Sequence, residues 1–140
     1  MLDGKTLGWT FYFRGPKVNK WKYFKDEEVV GLDNELVSKL DTARHIAGVP
    51  FKITSGKRSA EGNSVLIGAV GDSSHLTGKA VDLAVGNSND YFHMMEGLIK
   101  AGFRRIGQYM NAIGDDVIHI HVDIDDGKPQ DVIFSKREQN

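Results

Sequence analysis

The chain of 140 residues contains no cysteine, and this absence limits how the protein can be stabilised and what it can bind. Disulfide bonds and thiolate zinc sites are excluded, so any metal must be held by histidine, aspartate or glutamate. The chain also lacks a basic excess, because its formal net charge is -1. Non-specific binding to nucleic acid requires a basic surface, so nucleic acid is not expected as a partner.

Long apolar segments are missing as well. The N-terminal stretch MLDGKTLGWTFYFRGPKVNKW has an early acid and no small-residue cleavage site, so it does not resemble a secretory signal. No segment approaches the roughly 20 apolar residues that cross a bilayer, and membrane insertion is not expected. We therefore expect a monomer made in the cytoplasm, with a single domain over 1–140 whose residues 1–22 form an irregular N-terminal segment.

Two amphipathic helices are predicted from apolar residues at helical spacing. The first begins after Asp33, which suits the N-cap position, and ends at Gly48. The second begins after Asn87 and ends before Gly102. Its predicted apolar side consists of Tyr91, Phe92, Met95, Leu98 and Ile99.

Strands are predicted between and after these helices, at FKITSG, AVDLAV, FRRIGQYM, DVIHIHVDI and DVIF. Helices and strands alternate without a strict βαβ order. The sequence therefore favours an α+β fold with a small antiparallel sheet and flanking helices.

Two of the predicted strands carry residues of metal-ligand type on one face. Period-two alternation places Asp82 opposite the apolar residues of AVDLAV. In VIHIHVDID the alternation places four residues opposite the apolar ones: His119, His121, Asp123 and Asp125. A solvated face more often carries Lys, Thr, Ser and Glu, so this pattern, with His75 seven residues before Asp82, indicates a metal site. The other two histidines, His45 and His93, lie on polar helix faces and are expected to be solvated.

The residue types suit a catalytic zinc ion. Such a site uses three protein ligands and keeps a fourth position for water, whose pKa zinc lowers to about 7. His75, Asp82 and one histidine of the pair His119 and His121 supply that set. Hydrolysis further requires a group that transfers a proton and a cation or donor that holds the substrate. The candidates for these two roles are Asp115, Asp116 and Arg58.

A family resemblance rests on these same residues. SSHLTGKAVDL resembles the S-x-H-x-x-G-x-A-x-D signature of the zinc D-alanyl-D-alanine peptidases, whose relatives include phage L-alanyl-D-glutamate endopeptidases and the Hedgehog signalling domain. ITSGKRS, AGFRRIGQY and HIHVD resemble further parts of this group, in the same order, from about residue 23 to residue 125. The resemblance implies the Hedgehog/DD-peptidase fold.

The resemblance also implies roles for single residues. The implied Zn2+ ligands are His75, Asp82 and His121. His119 is implied to support the transition state, and Arg58 to face the substrate. Ser73 is implied to steady the loop around the ligands, and Gly78 to let the backbone turn between them.

The sequence departs from the family at Ile118, where many relatives have a catalytic carboxylate three residues before the last ligand. Hedgehog domains have an acid six residues before that ligand, which corresponds to Asp115, with Asp116 as its neighbour. In a second alignment with the family pattern, the carboxylate three residues before the last ligand is Asp116. In this register His119 would be the ligand. We rank the second register below the first, because it abandons the HVD match.

Two functions are therefore considered. The resemblance implies a zinc peptidase, carboxypeptidase or endopeptidase, that cleaves the peptidoglycan stem peptide as an endolysin does after phage-type release. The alternative is a catalytically inactive, zinc-stabilised binding module, as the Hedgehog relatives suggest. Residues for every catalytic role are present, and this favours the enzyme.

Overall fold

The structure is a computed structural model that describes residues 20–56 and 74–138. Two α-helices lie in these ranges, α1 (Asn34–Ala47) and α2 (Ser88–Lys100). The five strands are β1 (Ile53–Ser55), β2 (Ala80–Ala84), β3 (Arg105–Met110), β4 (Val117–Asp123) and β5 (Val132–Arg137). Two short 3-10 helices, Asp26–Val29 and Ser74–Thr77, complete the regular structure of the described residues. The predicted α+β class is confirmed.

The five strands form one sheet in the order β1-β2-β4-β3-β5. Neighbours among the first four strands are antiparallel, as predicted, but β5 pairs with β3 in parallel. The prediction of a purely antiparallel sheet was therefore wrong for β5. After β4 the chain returns to the beginning of β3, where the Val132 amide donates to the Arg104 carbonyl at 3.1 Å, so β5 runs in the direction of β3.

Both helices begin at the predicted caps. The Asp33 carboxylate accepts a hydrogen bond from the Glu35 amide at 2.8 Å, and the Asn87 side chain accepts one from the Asp90 amide at 2.7 Å. Gly48 ends α1 in the left-handed conformation, with φ of 71°, which glycine adopts without a steric penalty.

The buried side of α2 matches the predicted one only in part. It is formed by Met94, Gly97 and Leu98, and the predicted Tyr91 and Met95 pack against the core while partly buried. Phe92 and Ile99, predicted to be buried, are 64% and 52% exposed. A Cβ atom at Gly97 would collide with the Ala43 carbonyl of α1, so the glycine allows the two helices to approach closely and turns this side of α2 inward.

The core lies against one face of the sheet. Alternation along the strands buries Leu83 of β2, Ile106 of β3 and Ile120 of β4, and these residues belong to one cluster with Leu40 of α1 and Leu98 of α2. The same alternation leaves the opposite face for the polar residues of β2 and β4, as predicted. Among the described residues, no helix is long and apolar enough to cross a bilayer.

Candidate metal centre

The pairing of β2 with β4 brings two candidate ligands together. Asp82 and His121 are cross-strand partners in the antiparallel register, and Ala84 is the partner of His119. Directly opposed residues in a sheet project to the same face, so both side chains lie on the face away from the core. The small side chain of Ala84 leaves space beside the two histidines.

The third candidate, His75, comes from the short 3-10 helix Ser74–Thr77 that precedes β2. The turn between them depends on Gly78, which has a φ of 76°. A Cβ atom at this position would also collide with the Gly31 carbonyl. Both observations confirm the predicted role of Gly78, because only glycine tolerates the conformation and the close approach.

Three donor atoms converge at this place. Asp82 Oδ1 lies 3.1 Å from His121 Nδ1 and 3.5 Å from His75 Nε2. One ligand atom from each of the three residues lies within 4.8 Å of the others. Two imidazole nitrogens and one carboxylate oxygen are a donor set that zinc accepts in catalytic sites, so the residues fit the metal that the sequence implies.

The outer nitrogen of each imidazole has an acceptor. His75 Nδ1 lies 2.9 Å from the Gly56 carbonyl oxygen, and His121 Nε2 lies 2.7 Å from Asp123 Oδ2. Because both oxygens accept hydrogen bonds, these outer nitrogens donate to them, and in the neutral imidazoles the other nitrogens, which face Asp82, are left to bind a metal. Metal-binding histidines are commonly held in this way, by an acceptor behind the ring.

The charges of the cluster are mutually stabilising without a metal. Burial alone raises the pKa of Asp82, but hydrogen bonds and charge interactions with His121 and His75 outweigh it, and the pKa lies well below its usual range. Burial alone lowers the pKa of His121, but hydrogen bonds to Asp123 and Asp82, with the charges of both, outweigh it and raise the pKa. The two carboxylates thus favour the protonated form of His121 when no metal competes.

Asp123 is the residue behind His121, and sequence reasoning placed it only on the polar face of its strand. Its side chain is 1% exposed and accepts from three donors. They are His121 Nε2 at 2.7 Å, Arg105 Nε at 3.1 Å and the Asp125 amide at 3.1 Å. Arg105 was not predicted at all. Period-two alternation along β3, which puts it on the face of Gly107 and Tyr109, was the available signal.

Aromatic rings stand beside the candidate ligands. The Tyr109 ring of β3 stacks on His119, with centroids 4.8 Å apart and an interplanar angle of 24°. The Phe134 ring of β5 lies 6.0 Å from the His121 ring. His119 precedes His121 by two residues, which corresponds to about 7 Å along a strand, so its side chain projects to the same face of the sheet as that of His121.

The remaining predicted site residues are Asp115, Asp116, Arg58 and Ser73. Asp115 and Asp116 are exposed and lie in the turn between β3 and β4. The Asp115 carboxylate accepts a hydrogen bond from the Asn111 side-chain amide at 2.9 Å, and the Asp116 backbone carbonyl accepts one from the Asn111 backbone amide at 2.9 Å, so both residues contribute to the turn. Arg58 and Ser73 lie outside the described residues.

A possible metal site formed by two histidines and an aspartate suggests a metal-dependent hydrolase, and the comparisons with known proteins specify the class. The sequence profile of the peptidase M15 family matches residues 17–123, and the chain belongs to this family. No curated protein matches the chain significantly.

Among solved structures, the crystal structure of the Serratia marcescens L-Ala D-Glu endopeptidase ChiX is similar to this chain. The sequences are 20% identical, the TM-score is 0.51, and the match covers 73% of this chain and 88% of that one. At this level of identity the similarity establishes a shared fold.

Proposed function

We propose that this protein is a zinc-dependent peptidase that hydrolyses a peptide bond in the stem peptide of peptidoglycan. The observation that carries the proposal is the convergence of donor atoms from His75, Asp82 and His121 in a chain of the peptidase M15 family. The peptidoglycan substrate is supported by the resemblance of SSHLTGKAVDL to zinc cell-wall peptidases and by the L-Ala D-Glu endopeptidase with the same fold.

The metal would be held by His75 Nε2, Asp82 Oδ1 and His121 Nδ1. Zinc bound there supplies a Lewis acid and lowers the pKa of water to about 7, so that the nucleophile forms near neutral pH. The Gly56 carbonyl and the Asp123 carboxylate hold the two imidazoles in the tautomers that this arrangement needs.

Proton transfer is assigned to His119. Its imidazole lies on the face of the ligands, and stacking on Tyr109 fixes the plane of the ring. A neutral ring nitrogen facing the site can take a proton from the attacking water and return it to the leaving amine.

The geometry favours His119 over the two aspartates proposed from the sequence. Asp116 precedes His121 by five residues, which corresponds to roughly 16 Å along a strand. A proton-transferring group must come within about 3 Å of the reacting atom or act through one water. Asp115 and Asp116 thus remain sequence-based alternatives for this role. Arg58 keeps its proposed role of binding a substrate carbonyl or carboxylate, and Ser73 that of steadying the ligand loop.

Digestion of purified peptidoglycan, followed by mass analysis of the fragments, tests the proposal. A carboxypeptidase releases only terminal D-alanine, whereas an endopeptidase cuts within the stem and releases larger pieces. We expect stem-peptide fragments from the zinc-loaded protein, and none after chelation or from the Asp82→Ala variant. A zinc-loaded protein that binds the wall but cleaves nothing would instead indicate the binding module, with Ile118 in place of a lost base.

A further inference from the structure

We infer that Arg105 is a positioning residue of the metal centre: it fixes the Asp123 carboxylate, which in turn fixes the ring of His121. The C-terminal strand β5 takes part, because its Phe134 supports the arginine. The inference rests on the proposed role of His121 as a metal ligand. It extends that proposal to residues that touch neither metal nor substrate.

The connection runs through a single oxygen atom. Asp123 Oδ2 accepts hydrogen bonds from His121 Nε2 at 2.7 Å and from Arg105 Nε at 3.1 Å. The second carboxylate oxygen accepts from the Asp125 amide at 3.1 Å. Since both oxygens are held, the carboxylate cannot rotate without breaking a bond, and the direction of the His121 ring is determined by it.

Arg105 is itself held from two further sides. Its NH1 donates to the Pro129 carbonyl at 3.2 Å, and its guanidinium carbon lies 4.8 Å from the centre of the Phe134 ring. The arginine side chain is only 17% exposed. A guanidinium can donate in two directions and stack on an aromatic face at once, which the ammonium group of lysine cannot do.

The sequence of β3 provides the space for this contact. Gly107 is the parallel partner of Phe134, and a Cβ atom at Gly107 would collide with the phenyl ring. The glycine therefore allows Phe134 to lie over β3, between Arg105 and the Tyr109–His119 stack. Pro129 and Phe134 both follow residue 123, where the match to the family profile ends. The chain thus adds support for its metal centre from outside the matched segment.

The charge of the buried pair explains why an arginine stands here. Asp123 is almost completely buried, and a buried carboxylate is costly unless it is paired and hydrogen-bonded. Without Arg105 the Asp123 carboxylate would keep only two hydrogen-bond donors, His121 and the Asp125 amide. The carboxylate would then be oriented in part by the His121 ring, the group whose orientation it is proposed to fix. Loss of such an outer partner typically weakens metal binding by about 10- to 100-fold.

The metal affinity of the protein tests this inference. We would measure the zinc dissociation constant of wild type and Arg105→Gln by competition with a chromophoric chelator, and the visible spectrum after cobalt(II) substitution. We expect Arg105→Gln to bind zinc about 10- to 100-fold more weakly and to show a changed cobalt spectrum. Arg105→Lys and Phe134→Leu should also weaken zinc binding and change the cobalt spectrum, but to a smaller extent.

The neighbouring Arg104 offers a matched control. It also forms an ion pair, with Asp131 at 2.5 Å, but both side chains are mostly exposed and neither touches the candidate ligands. Arg104→Gln should keep the wild-type dissociation constant and cobalt spectrum. Thermal unfolding of the metal-free variants separates a general loss of stability from a specific loss of affinity.

Each outcome decides between distinct conclusions. A wild-type protein that binds no zinc would refute the proposed metal site itself. A wild-type protein that binds zinc, with Arg105→Gln equally tight and spectrally unchanged, would refute the positioning role alone. The positioning role would also be refuted if, among Arg104→Gln, Arg105→Lys and Phe134→Leu, the loss of zinc affinity were proportional to the loss of stability of the metal-free protein and the cobalt spectra were unchanged. If Arg105→Gln does not fold, the lysine and leucine variants decide by the same criteria.

Discussion

Asp82 Oδ1 lies 3.1 Å from His121 Nδ1, although the two residues are 39 positions apart in the sequence. They meet because β2 and β4 pair antiparallel with these residues directly opposed. A shift of one residue in this register would move one of them to the core face. The packing of Leu83 and Ile120 in the core therefore also fixes the geometry of the polar face.

Loss of the shared carboxylate should remove the metal. We expect the wild-type protein to carry about one equivalent of zinc, as a three-ligand site does. Asp82→Ala, His75→Ala and His121→Ala should each lose most of it. Metal analysis after dialysis measures this. His93→Ala is the control, because His93 lies on α2 beside Glu96 and should not affect zinc content. Full zinc retention in Asp82→Ala would exclude the site as described.

The stability of the metal-free protein should depend on pH through His121. Its raised pKa means that the folded state binds the proton more tightly than the unfolded state. This contribution to stability is complete below the unfolded pKa of about 6.5 and is lost as the pH rises through the folded pKa. Asp82 has a lowered pKa, so its contribution is present above the unfolded value of about 3.9 and is lost in acid.

Zinc should reverse the pH dependence of stability near neutral pH, because it binds only the neutral imidazole of His121. We expect the difference in unfolding temperature between zinc-loaded and chelated protein to increase from about pH 6 to about pH 8. Calorimetry with and without chelator measures it. In His121→Ala the difference should disappear, and the chelated protein should lose most of its pH dependence in this range. A wild-type difference that shrinks with rising pH would contradict the proposed ligand.

The two histidines of HIHVD should separate metal binding from catalysis. His119→Ala is expected to retain zinc and to lose activity by on the order of 100- to 10,000-fold, the usual contribution of a general acid or base. His121→Ala should lose both. Zinc content and fragment release from peptidoglycan are the two measurements. The opposite pattern would place the ligand at His119, which corresponds to the second register considered from the sequence.

The turn aspartates test the remaining alternative for proton transfer. We expect Asp115→Ala and Asp116→Ala to reduce activity by less than about 10-fold, far below the loss typical of a missing general base. Asp115→Ala should lower stability slightly, because it removes the hydrogen bond from Asn111. If either variant, or the double variant, keeps its zinc but hydrolyses nothing, the base lies in this turn, as the Hedgehog-like spacing implies.

Local patterns were sufficient to predict much of the fold and of the site. The caps Asp33 and Asn87 and the alternation around Asp82 and His121 are confirmed by hydrogen bonds and burial. These features depend on residues close in sequence, because a cap or an alternating strand is defined within a few positions.

The features that were missed depend on contacts distant in sequence. Gly97 has no side chain that would mark it as part of an apolar helix face, yet α2 approaches α1 at this residue. This contact, rather than the spacing of large apolar residues, determines which side of α2 is buried. The parallel direction of β5 depends on where the chain returns after β4. The role of Arg105 depends on Asp123, 18 positions away, and alternation alone indicates only the face, not the partner.

Arg58 is expected to bind the substrate through the chemistry of its guanidinium group. A guanidinium holds a carbonyl or a carboxylate with two parallel hydrogen bonds, and lysine keeps the charge but not this geometry. We therefore expect Arg58→Lys to retain zinc and to lower kcat/KM on stem peptides by about 10-fold or more, since one charge-assisted hydrogen bond is worth roughly 1.5–3 kcal/mol. Arg104→Lys is the matched control, because Arg104 pairs with exposed Asp131 away from the ligands and should keep wild-type kinetics. Near-normal kinetics of Arg58→Lys would show that this arginine does not bind the substrate.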